Sequence, residues 1–357
     1  MARPGTPYDD RLSAHEAVAA RLSPLSDQRL GRLVAAATPL GTGIGGRSAE
    51  LDVGGRRVFV KRIPLTETEL SSAHARSTAN VFGLPVFYQY GVGSAGFGAW
   101  RELAVHTMTT RWVLARAYEG FPLMYHWRVL PDSPPEGFVD EFGGVDGSVA
   151  HWENSAAVRA RLEAIGRSTS SLTLFLEFVP HTLAAWLDGH RDTVPRDVPD
   201  APYAWVADAL LRGAAFMSAR GLVHFDAHFA NVLTDGRSLY FADFGLALSS
   251  RFELSGIEAR FLADHLSYDR AYTGAHLLRH HLPPGVRGGR THGAFLRDWI
   301  AGRRAAAVPT GIATVLDRCA RAAVVLDEFH HRLLTESKRT AFPRAEVESA
   351  LGTDGSP

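Results

Sequence analysis

The stretch GLVHFDAHFANVLTDGRSLYFADFGLAL, residues 221–248, constrains the fold more than any other part of the chain. It places His224, Asp226, His228 and Asn231 within eight residues and follows them with Asp243, Phe244 and Gly245. Asp and Asn at this density are either turn and loop caps or oxygen ligands. NVLTDGRSLYFADF reads as a hairpin around Asp235 and Gly236, bounded by β-branched and aromatic runs. Asp226 and Asn231 then share a loop that leaves a helix, and Asp243 arrives twelve residues after Asn231 at the end of a hairpin strand. That topology can bring three hard oxygen ligands together, a set suited to Mg²⁺. A second aspartate near the same point can orient a hydroxyl and accept its proton. His224 reads as a buried support for the loop.

Such a set needs a cation and a phosphate cradle, and both occur upstream. Gly41, Gly43 and Gly46 form GxGxxG, with Gly45 as an extra glycine, and backbone N–H groups in such a loop can approach phosphate oxygens closely. A dinucleotide-binding reading wants a helix after the glycines and an acid about 20 residues on. Here SAELDV, Gly54-Gly55 and RRVFVKRI follow instead, two strands joined by a two-residue hairpin turn. Lys61 ends the second of them, fifteen residues beyond Gly46. Of 38 basic residues only Lys61 and Lys338 are lysines, so a lysine inside this strand points to a requirement for a compact ammonium. Glu102, on a helix expected over residues 101–118, can hold it in place; Glu67 and Glu69 are nearer but leave little room for a helix.

The order of glycine loop, VFVK, helix glutamate, LEFV, HFDAHFAN and DFG resembles the protein-kinase-like superfamily, including aminoglycoside phosphotransferases, choline kinases and atypical protein kinases. The resemblance covers roughly residues 38–250. It implies an α+β, two-lobed protein-kinase-like fold with a small β-rich N-lobe, a mainly helical C-lobe and ATP in the cleft. Asp226 would be the catalytic base, Asn231 and Asp243 the Mg²⁺ ligands, Lys61 the α/β-phosphate contact and Glu102 its partner. The LEFV run, residues 176–179, would be the hinge, with backbone groups of Glu177 to Val179 meeting adenine. His228 reads either as packing or as a contact to the γ-phosphate or acceptor.

Departures from the protein-kinase pattern bear on the acceptor. Phe225 stands where regulated protein kinases place an arginine, His228 stands two residues after Asp226 in place of lysine, Phe59 is bulkier than the usual alanine, and no APE follows the DFG. The expected activity is transfer of the γ-phosphate of ATP to a hydroxyl, with a small molecule slightly favoured as acceptor. The alternatives are an atypical serine/threonine protein kinase, a pseudokinase-like nucleotide-binding regulatory module, and an adaptor that never binds ATP.

Around these motifs the chain divides into an N-terminal helical extension (1–37, with Ser26 and Asp27 offering an N-cap), an N-lobe (38–179), a C-lobe (180–350) and a flexible tail (351–357). Residues 66–99 read as irregular, and 119–155, rich in Pro and Gly, as a long loop or insertion. Residues 156–166 read as a short helix, 171–179 as an apolar strand, and the region from 255 onward as mainly helical with a break at LPPGVRGGR. A formal net charge of +0 and the lack of a basic, aromatic-interleaved face argue against nucleic acid. No run of 18 apolar residues and no apolar leader argue against a membrane and for the cytoplasm. Cys319 is the only cysteine, which excludes a disulfide within the chain; it reads as a packed hydrophobe. His276 and His280 have the i, i+4 spacing of metal ligands, but no third ligand is evident, and a core or surface helix is expected.

Overall fold

Gly54 and Gly55 both take positive φ, 66° and 82°. A type I′ hairpin turn requires that sign at both central residues, and Val53 N–H closes the turn on Arg56 O at 2.8 Å. The hairpin belongs to an α+β chain whose described residues, in this computed structural model, are 7–43, 46–91, 93–191, 201–283, 285–304 and 308–352. Gly45 and residues 353–357 of the expected tail lie outside them. The chain divides into two units. One comprises Met1–Val179, Asp243–Ala247 and Phe252–Ser255, and the other Pro180–Ala242, Leu248–Arg251 and Gly256–Pro357.

The first unit opens with two helices, α1 (Pro7–Leu22) and α2 (Asp27–Ala35). Ser26 caps α2 by accepting from Arg29 N–H. Strands β1 (Thr38–Gly43), β2 (Gly46–Asp52) and β3 (Arg57–Leu65) follow, then α3 (Glu67–Leu70), α4 (Ala99–Leu114), β4 (Met124–Pro131), α5 (Gly144–His151), α6 (Ala156–Gly166) and β5 (Ser170–Glu177). The five strands form one antiparallel sheet in the order β1-β2-β3-β5-β4. Ile63 and Leu65 of β3 and Leu172, Leu174 and Leu176 of β5 pack with Ala99, Trp100 and Leu103 of α4. Helix α4 is thereby fixed on the sheet. A second cluster, centred on Tyr88, Phe97, Trp152 and Leu162, anchors α5 and α6.

Two stretches read as irregular carry regular elements. Residues 119–155, expected as a long loop or insertion, contain β4 and α5. The run MYHWRVLP has strand character, but Pro and Gly on both sides hid it; pairing with β5 along its length supplies what local propensity leaves open. Residues 66–99 also contain α3, nucleated by a capping box in which Thr66 and Glu69 each bond the other's backbone N–H. The helix expected over 101–118 ends at Leu114; beyond it Arg116 turns to φ 56°.

The second unit carries β6 (His181–Thr182), α7 (Leu183–Arg191), α8 (Ala201–Ser218), β7 (Leu222–Val223), β8 (Val232–Thr234), β9 (Leu239–Phe241) and β10 (Leu248–Ser249). Helices α9 (Gly256–Asp264), α10 (Tyr268–His280), α11 (His292–Ile300), α12 (Thr310–Thr335) and α13 (Arg344–Leu351) complete it. Strands β8 and β9 form the hairpin expected around Asp235, whose Oδ1 accepts from Arg237 and Ser238 N–H. Helices α10 and α12 approach closely at Gly274, where a Cβ would lie 2.9 Å from Cys319 Sγ. Burial pushes that thiol up to about 11, so Cys319 is a packed, un-ionised side chain. Among the described residues no helix is long and apolar enough to cross a membrane.

Candidate functional site

In the first unit the site is built on β3 and α4. The alternation of β3 turns Lys61 inward, in register with Leu174 of β5 and Ser48 of β2. Its Nζ donates to Glu102 Oε1 and to Asp243 Oδ1, each at 2.7 Å. Glu69, the nearer acid in sequence, is committed elsewhere: it accepts from Arg161 at 2.7 Å and from Ala99 N–H at the start of α4. Glu67 is exposed. Glu102 is therefore the helix carboxylate that meets the lysine.

The electrostatics of this triad follow from its burial. Taking the Lys61 ammonium out of water pulls its pKa down, but the charges of Asp243 and Glu102 and their hydrogen bonds outweigh that, and the net displacement is upward. Lys61 is thus a fixed cation and not a base. Glu102 is almost fully enclosed, with 3% of its side chain exposed, whereas 42% of Asp243 is exposed. Asp243 sits at φ 59°, a conformation that non-glycine residues adopt at a cost of about 1–3 kcal/mol and that clusters at functional sites. Next to it, Phe244 is buried with its ring edge-on to His106 at 5.1 Å and tilted against Phe121 at 6.2 Å. His106, one turn after Glu102, has Nε2 3.8 Å from Glu102 Oε1, and neither of its ring nitrogens has a hydrogen-bond partner among the described residues. Sequence reading missed His106; the i, i+4 spacing from Glu102 was the available signal.

The glycine motif spans β1 and β2. Gly43 pairs with Gly46 across the antiparallel ladder, so the motif leads from strand to strand and does not open a helix, as the dinucleotide reading would require. Gly46 has φ 124°, and a Cβ there would lie 2.1 Å from Arg62 O of β3. Only glycine lets the strand pass this close. Beside it, Arg47 and Arg62 are cross-strand partners and share Asp132 Oδ1 as acceptor.

At the far end of the sheet, β5 delivers Glu177. Its N–H bonds Leu123 O at 2.7 Å, and its carboxylate accepts from Leu123 N–H at 3.0 Å and from Arg11. Val179 is the last residue of this part of the first unit.

The second unit holds Asp226, His228 and Asn231 together on the loop between β7 and β8. Asn231 Nδ2 donates to Asp226 Oδ2 and to Asp226 O, both at 3.0 Å, so its amide nitrogen is committed to the aspartate. His228 Nε2 lies 3.6 Å from Asp226 Oδ1. Asp226 is part-exposed, with 27% of its side chain accessible. His224 is buried as expected of a support: Nε2 donates to Ala242 O at 2.9 Å and Nδ1 accepts from Asp226 N–H at 3.3 Å. The two bonds require the proton on Nε2.

Asp269 of α10, which carries no recognisable sequence signal, holds this loop from below. Its Oδ2 accepts from His224 N–H at 2.6 Å and its Oδ1 from Phe225 N–H at 3.1 Å. Phe225 has φ 63°, a strained value for a bulky residue. Its ring is buried against Phe261, 5.6 Å away and near-parallel, and against Tyr268 at 5.2 Å. Complete burial raises the Asp269 carboxyl to about 6 against the opposing pull of its two backbone bonds. His276 is likewise structural: its Nε2 accepts from Phe229 N–H at 3.4 Å, and burial pushes its pKa down to about 3. Among the described residues no group of three or more His, Cys, Asp or Glu is placed to hold a metal ion.

No family model matches this chain, and a search of curated proteins found no match either.

Proposed function

We propose that this chain is an ATP- and Mg²⁺-dependent phosphotransferase with a two-lobed protein-kinase-like fold, moving the γ-phosphate to a hydroxyl acceptor. One observation carries the reading: Lys61, on the third strand after a glycine hairpin, is bonded at 2.7 Å to both the helix glutamate Glu102 and the Asp243 of DFG. A β3 lysine paired with a helix glutamate is what phosphoryl transfer of this type uses to hold the α- and β-phosphates. The DFG position sharpens the reading, because Asp243 is half-exposed and strained while its neighbour Phe244 is buried, so the carboxylate is presented and its backbone is anchored.

The donor set suits the cation. An aspartate carboxylate and an asparagine amide oxygen are hard ligands, and Mg²⁺ is held by one or two such groups together with phosphates and water. On this reading Asn231 and Asp243 hold Mg²⁺, which when bound neutralises charge on the transferring phosphoryl group. Lys61 adds a fixed positive charge, and the β1–β2 glycines Gly41, Gly43 and Gly46 offer backbone N–H groups. Asp226, oriented by Asn231, accepts the proton of the acceptor hydroxyl. Catalysis then rests on alignment and charge, with no covalent intermediate.

Phe225 favours a small-molecule acceptor over a regulated protein-kinase role. Its buried ring packs against Phe261 and Tyr268, in the place where an arginine would read an activation-loop phosphate. The experiment is transfer of labelled γ-phosphate in the presence of cell-lysate fractions separated by size. Label in the small-molecule fraction supports this acceptor class, label in protein supports the atypical protein kinase, and Mg·ATP binding without any transfer supports a nucleotide-sensing module.

A further inference from the structure

Arg11 lies far from every motif in the sequence, yet its side chain makes four hydrogen bonds within the first unit. Its guanidinium donates through Nε to Glu177 Oε1 at 2.8 Å and through Nη2 to Glu177 Oε2 at 2.7 Å. The same group donates through Nη1 to Glu119 O at 2.9 Å and through Nη2 to Phe121 O at 2.7 Å. Both side chains are largely enclosed, 13% and 14% exposed. Four bonds from one planar fork to two carboxylate oxygens and two carbonyls is a geometry that arginine alone among the side chains supplies.

The helix that brings Arg11 here is itself fastened to α4. Tyr8 Oη donates to Val113 O at 2.6 Å, Arg116 bonds Asp9 at 2.9 Å, and the Arg116 guanidinium covers the Tyr8 ring at 4.3 Å. Helix α1 therefore bridges the C-terminal end of α4, whose first turn carries Glu102, and the end of β5. A third donor to the Glu177 carboxylate is Leu123 N–H, at 3.0 Å.

We propose that Arg11 is a positioning residue for the base of the nucleotide: α1 acts as a strap that fixes the end of β5, so that the backbone of residues 177–179 is already set to meet adenine. The inference rests on the phosphotransferase reading. It assigns the N-terminal extension a role in nucleotide affinity and gives the Glu177 side chain a task separate from its backbone. A site whose backbone groups are pre-ordered avoids the entropy of ordering them on binding, so loosening the strap appears as lost affinity.

The test measures binding of Mg·ATP, adenosine and Mg·pyrophosphate to the full chain and to Arg11→Ala, with Arg11→Lys as a variant that keeps the charge and the apolar stem. The expected result for Arg11→Ala is an affinity for ATP and for adenosine lower by about tenfold, equivalent to about 1.4 kcal/mol, with pyrophosphate affinity unchanged. Arg11→Lys shifts in the same direction because an ammonium cannot span both carboxylate oxygens. A merely structural role would weaken all three probes together. Equal loss for all three, or ATP affinity within twofold of wild type in both variants, overturns the inference while leaving the phosphotransferase reading standing. Absence of ATP binding by the wild-type chain overturns both.

Discussion

Replacing Lys61 with methionine removes the cation and keeps the apolar stem. Two carboxylates lose the ammonium they share, but unequally. Asp243 is 42% exposed and water takes over its charge, whereas Glu102, 3% exposed, is left as an uncompensated charge inside the unit. Breaking one side of a buried pair costs about 3–5 kcal/mol. A destabilisation of that size, about 3–5 kcal/mol, follows for Lys61→Met. Replacing Glu102 by leucine in the same chain should recover most of it. Urea unfolding followed by tryptophan fluorescence reads this directly, since Trp100, Trp112, Trp127 and Trp152 all belong to the unit that holds the triad. A loss below about 1 kcal/mol would refute the picture of Glu102 as a buried charge held by Lys61.

Asp269→Asn removes one of the two acceptors that hold His224 and Phe225 N–H, and should cost about 2 kcal/mol and reduce phosphotransfer more than nucleotide affinity; equal stability with full activity would show that the strained Phe225 turn needs no support from α10. Acid should destabilise the second unit. Burial holds His265 at about 4, His276 at about 3 and His330 at about 4, so the unfolded chain binds protons first as the pH drops below about 6.5. Stability is full above that pH and is lost progressively towards pH 4, with Asp269 acting in the opposite sense because its carboxyl is raised to about 6. Thermal unfolding between pH 7.5 and 5 checks the sign, and a midpoint that rises on acidification would contradict it.

Much of this was legible because local chemistry dictated it. The Gly54-Gly55 turn, the Ser26 cap, the Asp235 hairpin and the apolar run of β5 each announce their structure within a few residues. Glu102 was a longer reach, since 41 residues separate it from Lys61, and only the packing of α4 on β3 and β5 brings the two together. Strand β4 was missed because its identity comes from pairing with β5 rather than from its own flanks. Asp269, Arg11 and His106 were missed for a different reason. Asp269 and Arg11 act on partners 45 and 166 residues away through side chains unremarkable in their local context, whereas His106 lies one helical turn from Glu102 and only that i, i+4 spacing marks it. Phe225 shows the same limit from the other side: its identity was visible, but its left-handed backbone and its stack on Phe261 were not.

The central claim, that Asp226 takes a proton from an acceptor hydroxyl while Lys61, Asn231 and Asp243 manage the phosphates, is tested most directly by Asp226→Asn. Labelled γ-phosphate transfer and Mg·ATP affinity are measured side by side on the variant and the wild-type chain. The account predicts nucleotide affinity close to wild type and transfer abolished, whereas full transfer by Asp226→Asn would contradict it.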